Sequence, residues 1–165
     1  MRLSHLIATV GGIGHLRPAP GTWGALAALP LAGLLHWLAG PWLLTLAIVV
    51  GFLKGWWATV QETRGKDDHD PSEIVIDEVV GQWIAFLPVS AGAALAGAAL
   101  TQLWPGWVAA FVLFRLFDIW KPGPVGLADR RGDALGVMLD DVIAGLFAAL
   151  GVVALAAVAH GIMAL

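Results

Sequence analysis

Apolar residues fall into five long runs, at positions 22–38, 41–60, 77–104, 106–120 and 134–165. A helix crossing the hydrocarbon core of a bilayer needs about 20 residues. The third and fifth runs exceed that and are expected to project extra turns from one side; the first and fourth are marginal. Turns are marked by Pro18–Ala19–Pro20–Gly21, by Gly40–Pro41 and by Pro122–Gly123–Pro124. The pattern predicts an all-α, polytopic integral membrane helical bundle of about five spanning helices, with four as the alternative count. One membrane-embedded domain is expected over residues 1–165. Residues 1–21 form an interfacial N-terminal segment, and 61–76 and 121–133 form loops.

The positions of Lys and Arg orient the bundle. Arg2 and Arg17 precede the first run, Arg64 and Lys66 follow the second, and Lys121, Arg130 and Arg131 follow the fourth. The connections near residues 39–40 and 104–106 carry no charge. With five spans, all three basic segments fall on one side, which the positive-inside rule makes cytoplasmic, together with the N-terminus.

Composition agrees. Hydrophobic residues make up 59% of the 165 positions and charged ones 13%, about half the charged share of a soluble domain. Mean hydropathy is +0.82. The absence of cysteine removes thiolate nucleophiles, thiolate metal sites and disulfides. Nine tryptophans and no tyrosine leave the interfacial aromatic role to Trp. A net charge of −3 argues against a nucleic-acid partner.

The acidic residues carry the chemistry. Asp67, Asp68, Asp70 and Glu73 read as a solvated loop. Asp77–Glu78, however, follows Ile74–Val75–Ile76, Asp118 lies within Phe114–Arg115–Leu116–Phe117–Asp118–Ile119–Trp120, and Asp140–Asp141 sits between Leu139 and Val142. Carboxylates inside apolar helices face a bundle interior or a wet cavity. Three helices thus bring five carboxylates to one depth, against Arg115 and Lys121 alone. Arg115, Asp118 and Lys121 step by three along one helix face. The excess negative charge calls for a cation, and hard oxygen ligands suit Mg²⁺. Gly81, Gly136 and Gly145, each four residues from an acidic position, allow close helix approach. Gly11–Gly12–Ile13–Gly14, leading to Pro20–Gly21–Thr22, offers backbone N–H groups for an anion, with Thr22 as expected N-cap and phosphate contact.

Metal-bound carboxylates beside Arg115 and Lys121 suit phosphoryl chemistry on a lipid headgroup. The Asp-x-Asp-x-Thr motif of haloacid-dehalogenase phosphatases and the signature of CDP-alcohol phosphotransferases are absent. Four segments resemble the phosphatidylglycerophosphatase A family: Ala19–Pro20–Gly21–Thr22–Trp23–Gly24, Asp70–Pro71–Ser72–Glu73 through Gly81, Phe114 through Pro122, and Gly136 through Gly145. The resemblance implies a Mg²⁺-dependent hydrolase of the bacterial inner membrane, converting phosphatidylglycerophosphate to phosphatidylglycerol and inorganic phosphate at the cytoplasmic face. By position, Asp77, Glu78, Asp118, Asp140 and Asp141 form its acidic centre. Glu78, Asp140 and Asp141 are expected to hold metal, Asp77 or Asp118 to orient or deprotonate water, and Arg115, Lys121 and Thr22 to contact phosphate. A small cation or proton transporter also uses intramembrane carboxylates, but it favours the midplane and inverted repeats.

Overall fold

A computed structural model describes residues 2–163. Every regular element among them is helical: α1 (Leu3–Ala8), a 3₁₀ turn (Ile13–His15), α2 (Pro20–Thr63), α3 (Ile76–Ala96), a second 3₁₀ turn (Leu100–Leu103), α4 (Trp104–Trp120), α5 (Pro124–Asp129) and α6 (Ala134–Met163).

The first two apolar runs are the two limbs of α2, 20–38 and 41–63. Forty-four helical residues in a straight line would extend about 66 Å, twice the hydrocarbon thickness. Instead the chain reverses at Ala39 (φ −154°, ψ 27°) and Gly40 (φ 65°, ψ −156°). Only glycine takes the second pair of angles readily, and Pro41 restarts the helix. The reversal shows in the packing on α3. Along the first limb, Ala28 accepts a hydrogen bond from Trp83 Nε1 at 2.9 Å and His36 meets Ser90 Oγ at 2.7 Å, both limb and α3 advancing together. Along the second limb, Gly51 faces Val80 and Trp83, whereas Gly55, further on, faces Ile76.

α3 is the central helix, packed against α2, α4 and α6. Its apolar residues therefore surround the helix rather than forming a stripe. Phe86 and Phe114 are fully buried, and Phe86 meets Trp107 edge-on with ring centroids 4.8 Å apart. α3 and α6 touch through glycines: a Cβ on Gly145 would overlap the Gly81 carbonyl oxygen, and one on Gly81 would lie 2.7 Å from the Asp141 carbonyl and 2.5 Å from the Phe114 ring. This close approach sets Asp77 and Asp141 side by side.

Three boundaries differ from the sequence expectation. The third run stops at Ala96, where Gly97 (φ 60°) donates to the carbonyls of Ala93 and Ala94 and closes the helix. Its last residues join the fourth run instead, so 100–120 makes a 21-residue apolar stretch rather than a marginal one. The 121–133 segment is not all loop, because Pro124 at N1 starts α5. Thr22 is not the N-cap of α2; Ala19 is, with Pro20 opening the helix. Residues 164–165 of the fifth run lie outside the described residues. Among the described residues, four helical stretches are long and apolar enough to cross a membrane: α2, α3, 100–120 and α6. Exposed tryptophans mark both ends of the bundle, Trp37, Trp42 and Trp104 at one and Trp56, Trp57 and Trp120 at the other.

Candidate active site

The end of the bundle opposite the Ala39–Gly40 turn is closed by the N-terminal segment and the two polar connections. Ser4 Oγ donates to Glu62 at 2.6 Å, and the Val75 N–H donates to the Ala8 carbonyl at 2.9 Å, so α1 is tied to both ends of the 64–75 connection. Beneath lies a cavity of about 380 Å³. The N-terminal turn of α2, the first turn of α3, the last turn of α4 and the second turn of α6 each contribute to its wall. All eight site residues expected from sequence line it: Thr22, Asp77, Glu78, Arg115, Asp118, Lys121, Asp140 and Asp141.

The wall has two kinds of carboxylate. On α3 and α6, Asp77, Glu78 and Asp141 each offer an oxygen within 4.8 Å of the others. Asp77 and Asp141 are 6% and 3% exposed. Asp77 Oδ1 and Glu78 Oε2 are buried without a hydrogen-bond partner. Unpaired buried charge costs several kcal/mol. Three hard oxygen donors at this spacing fit a divalent cation. Glycine 21 allows the α2 terminus to come this close, since a Cβ there would overlap Glu78 Oε1 and lie 3.3 Å from Arg115 Nη1.

On α4, α5 and α6 the carboxylates are paired. Asp118 takes an ion pair from Arg115, one turn earlier on α4. Lys121 does not join that helix face, as the spacing suggested. It sits in the left-handed conformation (φ 50°, ψ 53°) as the C-cap of α4, and its ammonium reaches Asp129 Oδ1 at 2.5 Å and Asp140 Oδ2 at 2.7 Å. Burial works against the Lys121 charge, but its hydrogen bonds to Asp129 and Asp140 outweigh that and raise its pKa above the ordinary lysine range. The convergent trio is thus Asp77, Glu78 and Asp141, whereas the sequence expectation had grouped Asp140 with Glu78 and Asp141.

Sequence reasoning passed over three contributors. Asp70 and Ser72, read as part of a solvated loop, line the cavity, and Asp129 fixes Lys121. Asp70 opens the second of the four resembling segments, and that was the available signal.

An apolar helical bundle with an acidic pocket at one end, flanked by Arg115, Lys121 and a helix N-terminus, has the makeup of a membrane-type protein with anion- and cation-binding groups side by side. Comparison with known proteins agrees. The family described as Phosphatidylglycerophosphatase A matches residues 6–156. A protein of that name from Escherichia coli is 38% identical over 148 residues, covering 88% of this chain and 78% of the relative. Another, from Haemophilus influenzae, is 37% identical over 153 residues, covering 92% and 87%. A putative phosphatidylinositol-3-phosphatase from Bacteroides thetaiotaomicron is 38% identical over 147 residues, covering 86% of each. No solved structure matches. The chain belongs to the phosphatidylglycerophosphatase A family, and is a phosphatase, a hydrolase of phosphoric monoesters.

Proposed function

We propose that the protein hydrolyses the phosphate monoester of phosphatidylglycerophosphate, releasing phosphatidylglycerol and inorganic phosphate, with Mg²⁺ held by Asp77, Glu78 and Asp141. The observation that carries the reading is the convergence of three buried carboxylates beside Arg115 and the α2 terminus. Both substrates denoted by the relatives' names are lipids with a phosphomonoester on a headgroup that is itself joined by a phosphodiester.

The residues divide the work as follows. Arg115, steadied by Asp118, holds the monoester oxygens, and Thr22 and the backbone N–H groups of the first α2 turn complete the seat. Asp118 orients the attacking water and accepts its proton; the water oxygen bonds to phosphorus as the P–O bond to the glycerol breaks, and the proton held on Asp118 passes to the leaving alkoxide. Lys121 and Asp140 keep the α4, α5 and α6 walls in register. Bound Mg²⁺ supplies Lewis-acid charge neutralisation of the phosphate.

We read α2 as two spans, which makes five in all; the site and the basic residues of the connections then share one face, which the positive-inside rule makes the cytoplasmic face of the bacterial inner membrane. The carboxylates gather at one end of the bundle rather than midway, which favours this reading over ion transport. The test is phosphate release from phosphatidylglycerophosphate in mixed micelles, with Mg²⁺ and then EDTA. Chelator-sensitive release that prefers this lipid to phosphatidic acid and glycerol 3-phosphate is expected. Folded protein that releases no phosphate would overturn the proposal.

A further inference from the structure

Arg17 does not line the cavity but is bonded to its wall. Its Nη1 donates to Ser72 Oγ at 3.1 Å, and Ser72 is part of the cavity wall. Ala19, two residues on, lines the cavity as well. The backbone around it is well fixed. The Ile74 N–H donates to the Pro71 carbonyl at 2.8 Å, closing the turn that carries Ser72. Gly14 lies directly against the Glu73 carbonyl, where any Cβ would overlap it, so the chain leading to Arg17 is pressed onto that turn.

The cations around the cavity differ in what neutralises them. Arg115 is paired with Asp118, and Lys121 with Asp129 and Asp140. Arg17 bonds to a neutral hydroxyl, and among the described residues no carboxylate lies within ion-pair distance of it. It therefore keeps its charge for a ligand. The cavity it borders is lined by Asp70, Asp77, Glu78, Asp118, Asp140 and Asp141 against Arg115 and Lys121. A second negative charge on the substrate would be repelled from such a rim unless a cation met it.

We propose that Arg17, steadied by Ser72, is a phosphodiester subsite: it binds the diester that links the headgroup to the diacylglycerol while the monoester occupies the cavity. This inference rests on the proposed function, because only a substrate with two phosphates fills both seats. The glycerol bridge separates the two phosphates, which places the diester at the rim when the monoester is inside. A guanidinium suits it, since its planar fork can keep the Ser72 bond and still offer further N–H groups to phosphate oxygens. The subsite separates this substrate from a lipid whose single phosphate is the monoester itself.

The experiment compares the full chain in neutral detergent with Arg17→Gln, Arg17→Lys and Ser72→Ala. Binding of soluble glycerophosphoglycerol, a diester with neither acyl chains nor monoester, is measured by calorimetry, and inhibition by inorganic phosphate is measured beside turnover of phosphatidylglycerophosphate. In Arg17→Gln, KM and the diester Kd should each rise about tenfold, the effect of one charge-assisted hydrogen bond. The kcat should stay within about twofold and phosphate inhibition should not change. Arg17→Lys should recover part of the loss, and Ser72→Ala should show a smaller rise in KM. Unchanged KM and diester affinity in Arg17→Gln would overturn the inference. So would equal weakening of diester and inorganic phosphate, which would place Arg17 in the monoester seat. A KM effect seen only when anionic lipid is added, with diester affinity unchanged, would assign Arg17 to general membrane attraction. Wild-type protein that binds the diester but does not release phosphate would defeat the proposed function and not this subsite; active protein indifferent to Arg17→Gln would do the reverse.

Discussion

The two walls of the cavity handle buried charge in opposite ways. On the α4–α5–α6 side each carboxylate has a cation within reach: Arg115 for Asp118, Lys121 for Asp129 and Asp140. On the α3–α6 side Asp77, Glu78 and Asp141 converge with no cationic side chain among them, and two of their oxygens are buried without a partner. The neighbours Asp140 and Asp141 fall on different sides of this division. A paired wall is complete when the chain folds. The unpaired wall holds negative charge that a cation from solution would neutralise, which is why the proposed function seats the metal there and the substrate phosphate on the paired Arg115.

Substitutions on the unpaired wall should have the largest effect. Asp141→Asn or Glu78→Gln is expected to cut turnover at least about a thousandfold, as loss of a charged group at a reacting centre does. Removing one buried, unpaired charge should leave the metal-free protein no less stable. Wild-type protein at a Mg²⁺ concentration of 100 times Kd should gain about 2.7 kcal/mol in thermal unfolding, and these variants should lose that gain. Full activity in Asp141→Asn would put the two walls on the same footing.

Arg115→Lys should come next. Losing the planar fork should lower kcat/KM by roughly 10- to 100-fold, with Mg²⁺ stabilisation kept, because in the proposed function Arg115 holds substrate and not metal. Steady-state kinetics together with a thermal shift would separate these outcomes. Gly145→Ala tests how the unpaired wall is assembled. Its Cβ would overlap the Gly81 carbonyl, so α6 must move off α3. A loss of about 1–3 kcal/mol is expected, as for overpacking, with weaker Mg²⁺ stabilisation as Asp141 withdraws from Asp77. Asp129→Asn should matter least: its carboxylate is 41% exposed, and its pair with Lys121 is worth at most about 1 kcal/mol. Calorimetry in detergent would detect a larger loss, and with it a structural role for α5.

The depth of the acidic residues was legible because a charge in an apolar helix stands out against its neighbours. Asp77, Glu78, Asp118, Asp140 and Asp141 could all be picked out by that contrast alone. Asp70, Ser72 and Arg17 could not, because in a polar connection a residue that lines a cavity and one that faces solvent look alike. The helix ends were misread for a related reason. Residues 97–104 carry no charge, and the left-handed Gly97 and the following 3₁₀ turn separate α3 from α4.

The sequence by itself determined the class of protein: its apolar runs are too long and too poor in charge for a water-soluble fold, and all twelve acidic residues flank the same two connections. Its four resembling segments also pointed to the family that the comparisons bear out. Which carboxylates pair with Lys121 was decided by the tertiary structure. Spacing along α4 allowed Lys121 to meet Asp118, but the left-handed cap at Lys121 and the placement of α5 turn its ammonium to Asp129 and Asp140. Spacing is a property of one helix. Pairing between helices depends on where the neighbours set their side chains, and here α5 presents Asp129 and α6 presents Asp140 to the Lys121 ammonium.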